Sequence, residues 1–107
     1  MKIYIYRYGS LCEPDIIDAF KRIGLEIVEE SAEIYNKSII PSESAALASS
    51  VLTKGGFAFA FTINFFPWLS DICQLLNITY ISLIVDSPVL ELYSYSLKND
   101  CNRIFFI

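Results

Sequence analysis

The sequence predicts a three-layer α/β domain built on an open parallel sheet of the Rossmann-like or flavodoxin-like kind, with five strands in the order 2-1-3-4-5 and helices on both faces. Three observations point there. Short apolar runs alternate with segments of helical period, prolines stand at the starts of the helical segments, and glycine or asparagine stands at their ends.

Met1–Tyr8 is rich in Ile and Tyr and reads as the first strand. Leu25–Ile34 begins apolar and turns acidic, and reads as the second. Phe57–Phe66 and Ile78–Val85 are short, nearly continuous apolar runs, and Arg103–Ile107 is a fifth. Runs of this kind suit strands buried on both faces of a parallel sheet. Between them, Ile16, Ile17, Phe20 and Ile23 recur at i, i+1, i+4 and i+7, and Trp68, Leu69, Ile72, Leu75 and Leu76 do much the same. Strands joined by such helices imply right-handed crossovers.

Pro14, Pro41, Pro67 and Pro88 all fall where a helix starts, a position at which the missing N–H costs nothing, and none falls inside a strand. A capping box of Ser10 and Glu13 would put Pro14 at the fourth helical position, where its N–H is needed. Glu13 as the cap and Pro14 as the first helical residue is the better fit. Gly24, Gly55-Gly56 and Asn77 stand where a left-handed residue closes a helix.

A chain of 107 residues is the size of one domain, and 54% hydrophobic against 19% charged residues places it well outside disorder. The longest apolar run, Phe57–Leu69, is broken by Thr62, Asn64 and Pro67 and is too short to span a bilayer. Lys2, Arg7 and Glu13 interrupt the N-terminus where a signal peptide needs apolar residues, so a cytoplasmic chain is expected. Cys12, Cys73 and Cys101 are odd in number and widely spaced, which fits neither a disulfide framework nor a metal knuckle. With no histidine, a zinc site or a Ser-His-Asp arrangement lacks its ligand or base, and no metal or cofactor is expected. A net charge of −4 without a basic cluster argues against a nucleic-acid partner.

In such a sheet, ligands meet the loops at the carboxyl ends of the strands, near the point where strand order reverses. The loops are Tyr8-Gly9-Ser10, Asn64-Phe65-Phe66-Pro67 and Asp86-Ser87-Pro88. Gly9 lets a ligand approach the backbone, or simply makes a tight turn. Ser10, with the helix start behind it, can hold an anion or a sugar hydroxyl. Asn64 offers donors and an acceptor at the end of the most apolar strand, either to a ligand or as a brace for its own loop. Asp86 brings a carboxylate to the end of the fourth strand, and Asp86 or Ser87 can equally cap the helix that follows. Glu29, Glu30 and Glu33 form an acidic cluster on or just past the second strand, read as a solvated edge, since no glycine fingerprint accompanies it. Tyr4, Tyr6 and Tyr8 share one face of an extended segment and are expected to pack, as are Tyr93 and Tyr95.

The stretches Tyr6-Arg7-Tyr8-Gly9-Ser10-Leu11-Cys12-Glu13-Pro14-Asp15, Ile63-Asn64-Phe65-Phe66-Pro67 and Ile84-Val85-Asp86-Ser87-Pro88-Val89-Leu90-Glu91-Leu92-Tyr93 resemble a bacterial domain family of unknown function. That family precedes a glycosyltransferase-like domain in proteins similar to the spore maturation protein CgeB. The resemblance covers essentially the whole chain and implies the N-terminal half of a two-domain (GT-B) enzyme, not catalytic alone. It implies an acceptor-side role, with the nucleotide-sugar donor held by a further C-terminal domain. Asp86 would then bind or deprotonate an acceptor hydroxyl, with Gly9, Ser10, Asn64 and Ser87 positioning it. The apolar strand Arg103–Ile107 has no helix after it, so self-association through it, or cover by the other domain, is expected. A non-catalytic flavodoxin-like binding or regulatory module is the alternative. Its phosphoacceptor version lacks the acidic pair, because Tyr8-Gly9 and Asn64 stand at the positions required, and its flavin version finds only one hydroxyl in Gly9-Ser10-Leu11-Cys12. A purely structural interaction domain would need neither Asn64 nor Asp86.

Overall fold

The structure, a computed structural model, describes residues 1–85 and 95–106. Strands β1 (Lys2–Tyr6), β2 (Glu26–Glu30), β3 (Phe57–Ile63), β4 (Thr79–Ile84) and β5 (Asn102–Phe106) form one sheet in the order β2-β1-β3-β4-β5. Every neighbouring pair is parallel, as the alternation of strand and helix in the sequence requires. Helices α1 (Glu13–Arg22), α2 (Ala32–Tyr35), α3 (Pro41–Leu52) and α4 (Pro67–Leu76) connect them, and a 3₁₀ turn, Tyr95–Lys98, leads into β5.

Pro41 and Pro67 open α3 and α4. Helix α1 starts one residue earlier than expected: Cys12 is at the cap position, Glu13 is the first helical residue and Pro14 the second, which still asks nothing of the missing N–H. Glu13 and Asp15 in its first turn and Lys21 and Arg22 in its last complement the helix dipole. Asn77 closes α4 at φ 59°, in the left-handed region that asparagine tolerates. The helix expected from Pro88 lies outside the described residues.

The second strand is shorter than expected. It stops at Glu30, because the Glu30 Oε2 accepts the N–H of Ala32 and the Ser31 carbonyl accepts that of Ile34, folding Leu25–Ile34 into a strand followed by a helical turn. Similarly, β3 ends at Ile63 because Asn64 takes φ 65°, which bends the chain out of the sheet before Phe65.

Alternation along the strands divides the core between the two faces of the sheet. Tyr4, Tyr6, Ala60, Tyr80 and Ile84 pack with Ala48, Leu52, Leu69 and Cys73 of α3 and α4 on one face. Ile3, Ile5, Phe61 and Ile63 pack with Ile17 of α1 on the other. On that second face Ile81, Leu83 and Val85 are half-buried, and the neighbouring Phe105 is 55% exposed. The sheet's β5 edge therefore carries apolar surface that α1 does not reach. No helix of the described residues is long and apolar enough to cross a membrane.

Candidate functional site at the carboxyl edge of the sheet

Two hollows open at the carboxyl edge. The first, about 520 Å³, lies over the point where strand order reverses and is lined by Tyr8, Gly9, Ser10, Leu11, Cys12 and Val85. The second, about 230 Å³, is lined by Glu33, Ile39, Pro41, Ser44, Phe66, Pro67 and Trp68. The rings of Tyr8 and Phe66, 5.4 Å apart and edge to face, belong one to each hollow.

The loop after β1 is held from behind. Glu13 is 2% exposed, and its carboxylate accepts the N–H groups of Tyr8 at 3.0 Å and Gly9 at 3.1 Å and the Nε–H of Arg7 at 3.3 Å. Arg7 also reaches Glu29 at 3.0 Å, which lies 3.8 Å from Lys21. Gly9 sits at φ 98°, and a Cβ there would come within 3.1 Å of the Lys37 ammonium, which donates to the Tyr8 carbonyl. The turn itself thus demands glycine. Ser10 lines the first hollow, its Oγ accepting the Cys12 N–H at 3.4 Å.

Asn64 ties three strand ends together. Its Nδ2 donates to the Tyr8 hydroxyl at 2.9 Å, its Oδ1 accepts the Val85 N–H at 3.1 Å, and its backbone N–H donates to Leu83 O at 2.8 Å. Behind it Thr62 Oγ1 donates to the Asn64 carbonyl at 2.6 Å and accepts from the Tyr80 hydroxyl, whose oxygen accepts the Phe66 N–H at 3.0 Å. Burial pushes the Tyr80 phenol up to about 12, so it stays a donor in this chain of bonds. Asn64 braces the loops around the first hollow and is not among the residues lining it.

Gly9 and Ser10 therefore meet at one hollow, with Asn64 beneath it. Asp86 and Ser87 lie outside the described residues; Val85, which precedes them in the sequence, lines the hollow. Of the acidic cluster, Glu29 and Glu30 are spent on Arg7 and on the turn after β2. Glu33 departs from the solvated-edge expectation. It sits in α2, where Oε1 accepts the Tyr6 hydroxyl at 2.5 Å, and Tyr6 also shares a 2.8 Å bond with Ser44. Burial first, and the Glu33 bond second, raise the Tyr6 phenol well above its ordinary value, which keeps its proton on the oxygen. This second cluster was not singled out from the sequence, because placing Glu33 on a strand separated it from Tyr6; the signal available was Ser44 on the inner face of the first turn after Pro41. Among the described residues no group of three or more His, Cys, Asp or Glu side chains is placed to hold a metal ion.

The comparisons with known proteins are empty. No family model, no curated protein and no solved structure matches the chain. Any function assigned to it rests on the geometry of these two hollows and on the sequence motifs around them.

Proposed function

We propose that the chain is the acceptor-side domain of a two-domain GT-B-type sugar transferase, inactive by itself. The observation that carries the reading is the first hollow: a parallel sheet offers its ligand site at the switch point, and here that site is open, with Gly9 and Ser10 on its wall. Asp86 follows Val85 directly in the sequence and is the residue assigned to accept a proton from an acceptor hydroxyl. In the full-length enzyme Asp86→Asn should lower turnover of a nucleotide-sugar about ten-fold or more at unchanged stability, worth roughly 1.4 kcal/mol in the transition state. Loss of stability with unchanged turnover per folded molecule would assign Asp86 to helix capping and overturn the catalytic role.

A second reading, a non-catalytic binding module on the same fold, is favoured by Asn64. Both ends of its amide are engaged by Tyr8 and Val85, so the residue serves the scaffold. Under that reading ligand binds at the first hollow without turnover, and Asp86→Asn changes affinity or stability only.

We infer also that a second copy of the chain pairs with β5. Tyr80 N–H donates to Cys101 O, and in a parallel ladder the bonded residues alternate, which turns the backbone of Ile104 and Phe106 away from β4. A two-fold axis through Phe105 sets Ile104 opposite Phe106 of the second copy and the two Phe105 rings side by side.

A further inference from the structure

We propose that the second hollow, between α2, α3 and α4, is a binding site for a neutral pyranose ring, with Glu33 and Trp68 as its recognition residues. The inference rests on the reading above, with the acceptor's ring held in the second hollow and its reacting hydroxyl directed past Tyr8 and Phe66 to the first, but the site stands on its own chemistry.

A carboxylate that touches nothing would swing freely; this one is fixed. Tyr6, wholly buried, donates to Glu33 Oε1, and Ser44, 2% exposed, lies 2.8 Å behind the phenol oxygen. The phenol has one proton and gives it to the carboxylate, so the bond to Ser44 is one in which the serine donates. The relay runs Ser44 to Tyr6 to Glu33 and leaves Oε2 without a partner among the described residues, in a side chain that lines the hollow. A buried relay that orients a half-buried acid beside a cavity is more than α2 needs to stay attached, since Lys37 already ties the same segment to Tyr8.

The remaining walls choose the ligand. Ile39, Pro41, Phe66 and Pro67 supply apolar surface, and Trp68 adds an indole braced against Tyr6 at 4.8 Å and Phe66 at 5.8 Å. Its ring N–H takes no partner among the described residues and can serve a hydroxyl oxygen. A carboxylate beside aromatic rings also suits an organic cation, and charge decides between the two. The 12-residue α3 and the 10-residue α4 both begin on this hollow, at Pro41 and Pro67. Two helix N-termini of about half a positive charge each, that of α3 shared with Glu43 in its first turn, oppose the single charge of Glu33. A cation would gain little there. A ring with hydroxyls on its edge and C–H groups on its face can donate to Glu33, accept from Trp68 and lie on the apolar wall, without bringing charge.

Trp68 is the only tryptophan in the chain, so its emission reports this hollow directly. The 107-residue chain would be titrated with methyl pyranosides of glucose, galactose, mannose and N-acetylglucosamine, and separately with tetramethylammonium and butylammonium chloride at matched ionic strength. The expected result is a saturable change in Trp68 emission with at least one pyranoside, weakened about ten-fold or more in Glu33→Gln, the size of one lost charge-assisted hydrogen bond. No saturable change with any pyranoside, tighter binding of either ammonium ion, or equal affinity in Glu33→Gln would overturn the proposal. If Glu33→Gln loses its circular dichroism, backbone and indole NMR shifts of the unaltered chain decide instead: shifts centred on Ser44 and Trp68 support the site, and shifts centred on Gly9 and Ser10 move the sugar to the first hollow and overturn it. Failure here is distinct from failure of the transferase reading. Binding at Trp68 in a full-length protein that transfers nothing leaves the site and removes the enzyme, whereas transfer unaffected by Glu33→Gln leaves the enzyme and removes the site.

Discussion

The carboxylate of Glu13 and the N–H of Gly9 stand 3.1 Å apart, so that the first turn of α1 holds the loop from which the same helix departs. With Tyr8 N–H and Arg7 as further donors to a side chain only 2% exposed, this is a buried anion satisfied by backbone and guanidinium together. Glu13→Ala strands two amide groups and should cost about 3 kcal/mol, while Glu13→Gln, which keeps one acceptor, should cost about half of that. Urea unfolding midpoints measure both. Equal costs for the two variants would mean that the packing of the side chain, not its oxygens, holds the loop.

At Asn64 two effects can be separated by substitution. The residue is left-handed, at φ 65°, and its amide joins Tyr8 to Val85. Asn64→Ala loses both side-chain bonds and carries a left-handed penalty, together about 3 kcal/mol, whereas Asn64→Gly loses the bonds without the penalty and should be about 1 kcal/mol milder. Chemical denaturation of the pair tests the order. Alanine equal to glycine would show that the backbone relaxes out of the left-handed region once the amide is gone.

The parallel order of the sheet was legible because period and punctuation agreed: apolar runs at Phe57–Phe66 and Ile78–Val85, prolines at 41 and 67, and Asn77 at a helix end all describe the same alternation. Misplaced boundaries came from side chains acting on the backbone. Glu30 turns its carboxylate onto Ala32, and Glu13 enters the helix to reach backward, neither of which leaves a periodic trace. The switch-point loops could be named because topology alone fixes them. The Tyr6–Glu33–Ser44 relay could not, because its members are 27 and 38 residues apart in the chain and meet only when α2 and α3 fold onto one sheet face.

Four buried acids set the alkaline limit of stability. Desolvation raises Tyr4, Tyr6 and Tyr80 above their ordinary value of 10.0, and raises Cys73 from 9.0 to about 12. Each folded-state pKa is the higher one, so above pH 9 to 10 the unfolded chain gives up protons that the folded chain keeps, and stability falls as pH rises. Their contribution is fully present below pH 9 and disappears progressively toward pH 12 and beyond. Urea midpoints should therefore be insensitive to these groups from pH 7 to 8.5 and should drop steeply from pH 9.5 to 11, with the share of tyrosinate absorbance at 295 nm that exceeds that of exposed tyrosines such as Tyr35 and Tyr95 appearing together with unfolding. Tyrosinate that appears fully before the loss of circular dichroism would mean that these phenols ionise in the folded chain.

The pairing inferred at β5 has a register that can be read out chemically. Asn102 O already accepts from the Arg103 guanidinium at 2.7 Å, which blocks that end of the edge and disfavours an axis through Ile104, where Phe106 would have to bond Asn102. An axis through Phe105 uses only the groups of Ile104 and Phe106 that turn away from β4 and brings together two rings that are 55% exposed in the single chain. Directly opposed side chains at a non-hydrogen-bonded pair have Cβ atoms about 4.5–5.5 Å apart, close to the reach of a disulfide. In a Cys12→Ser background, which removes the exposed thiol, mild oxidation of Phe105→Cys should give a covalent dimer, and Ile104→Cys should give little. Phe105→Glu sets like charges against each other across the axis and should shift sedimentation of the chain to the monomer at every concentration. Cross-linking through Ile104→Cys instead would move the axis by one residue. A monomer by sedimentation at the highest soluble concentration, with no cross-link from either cysteine, would leave β5 an edge that binds no second copy.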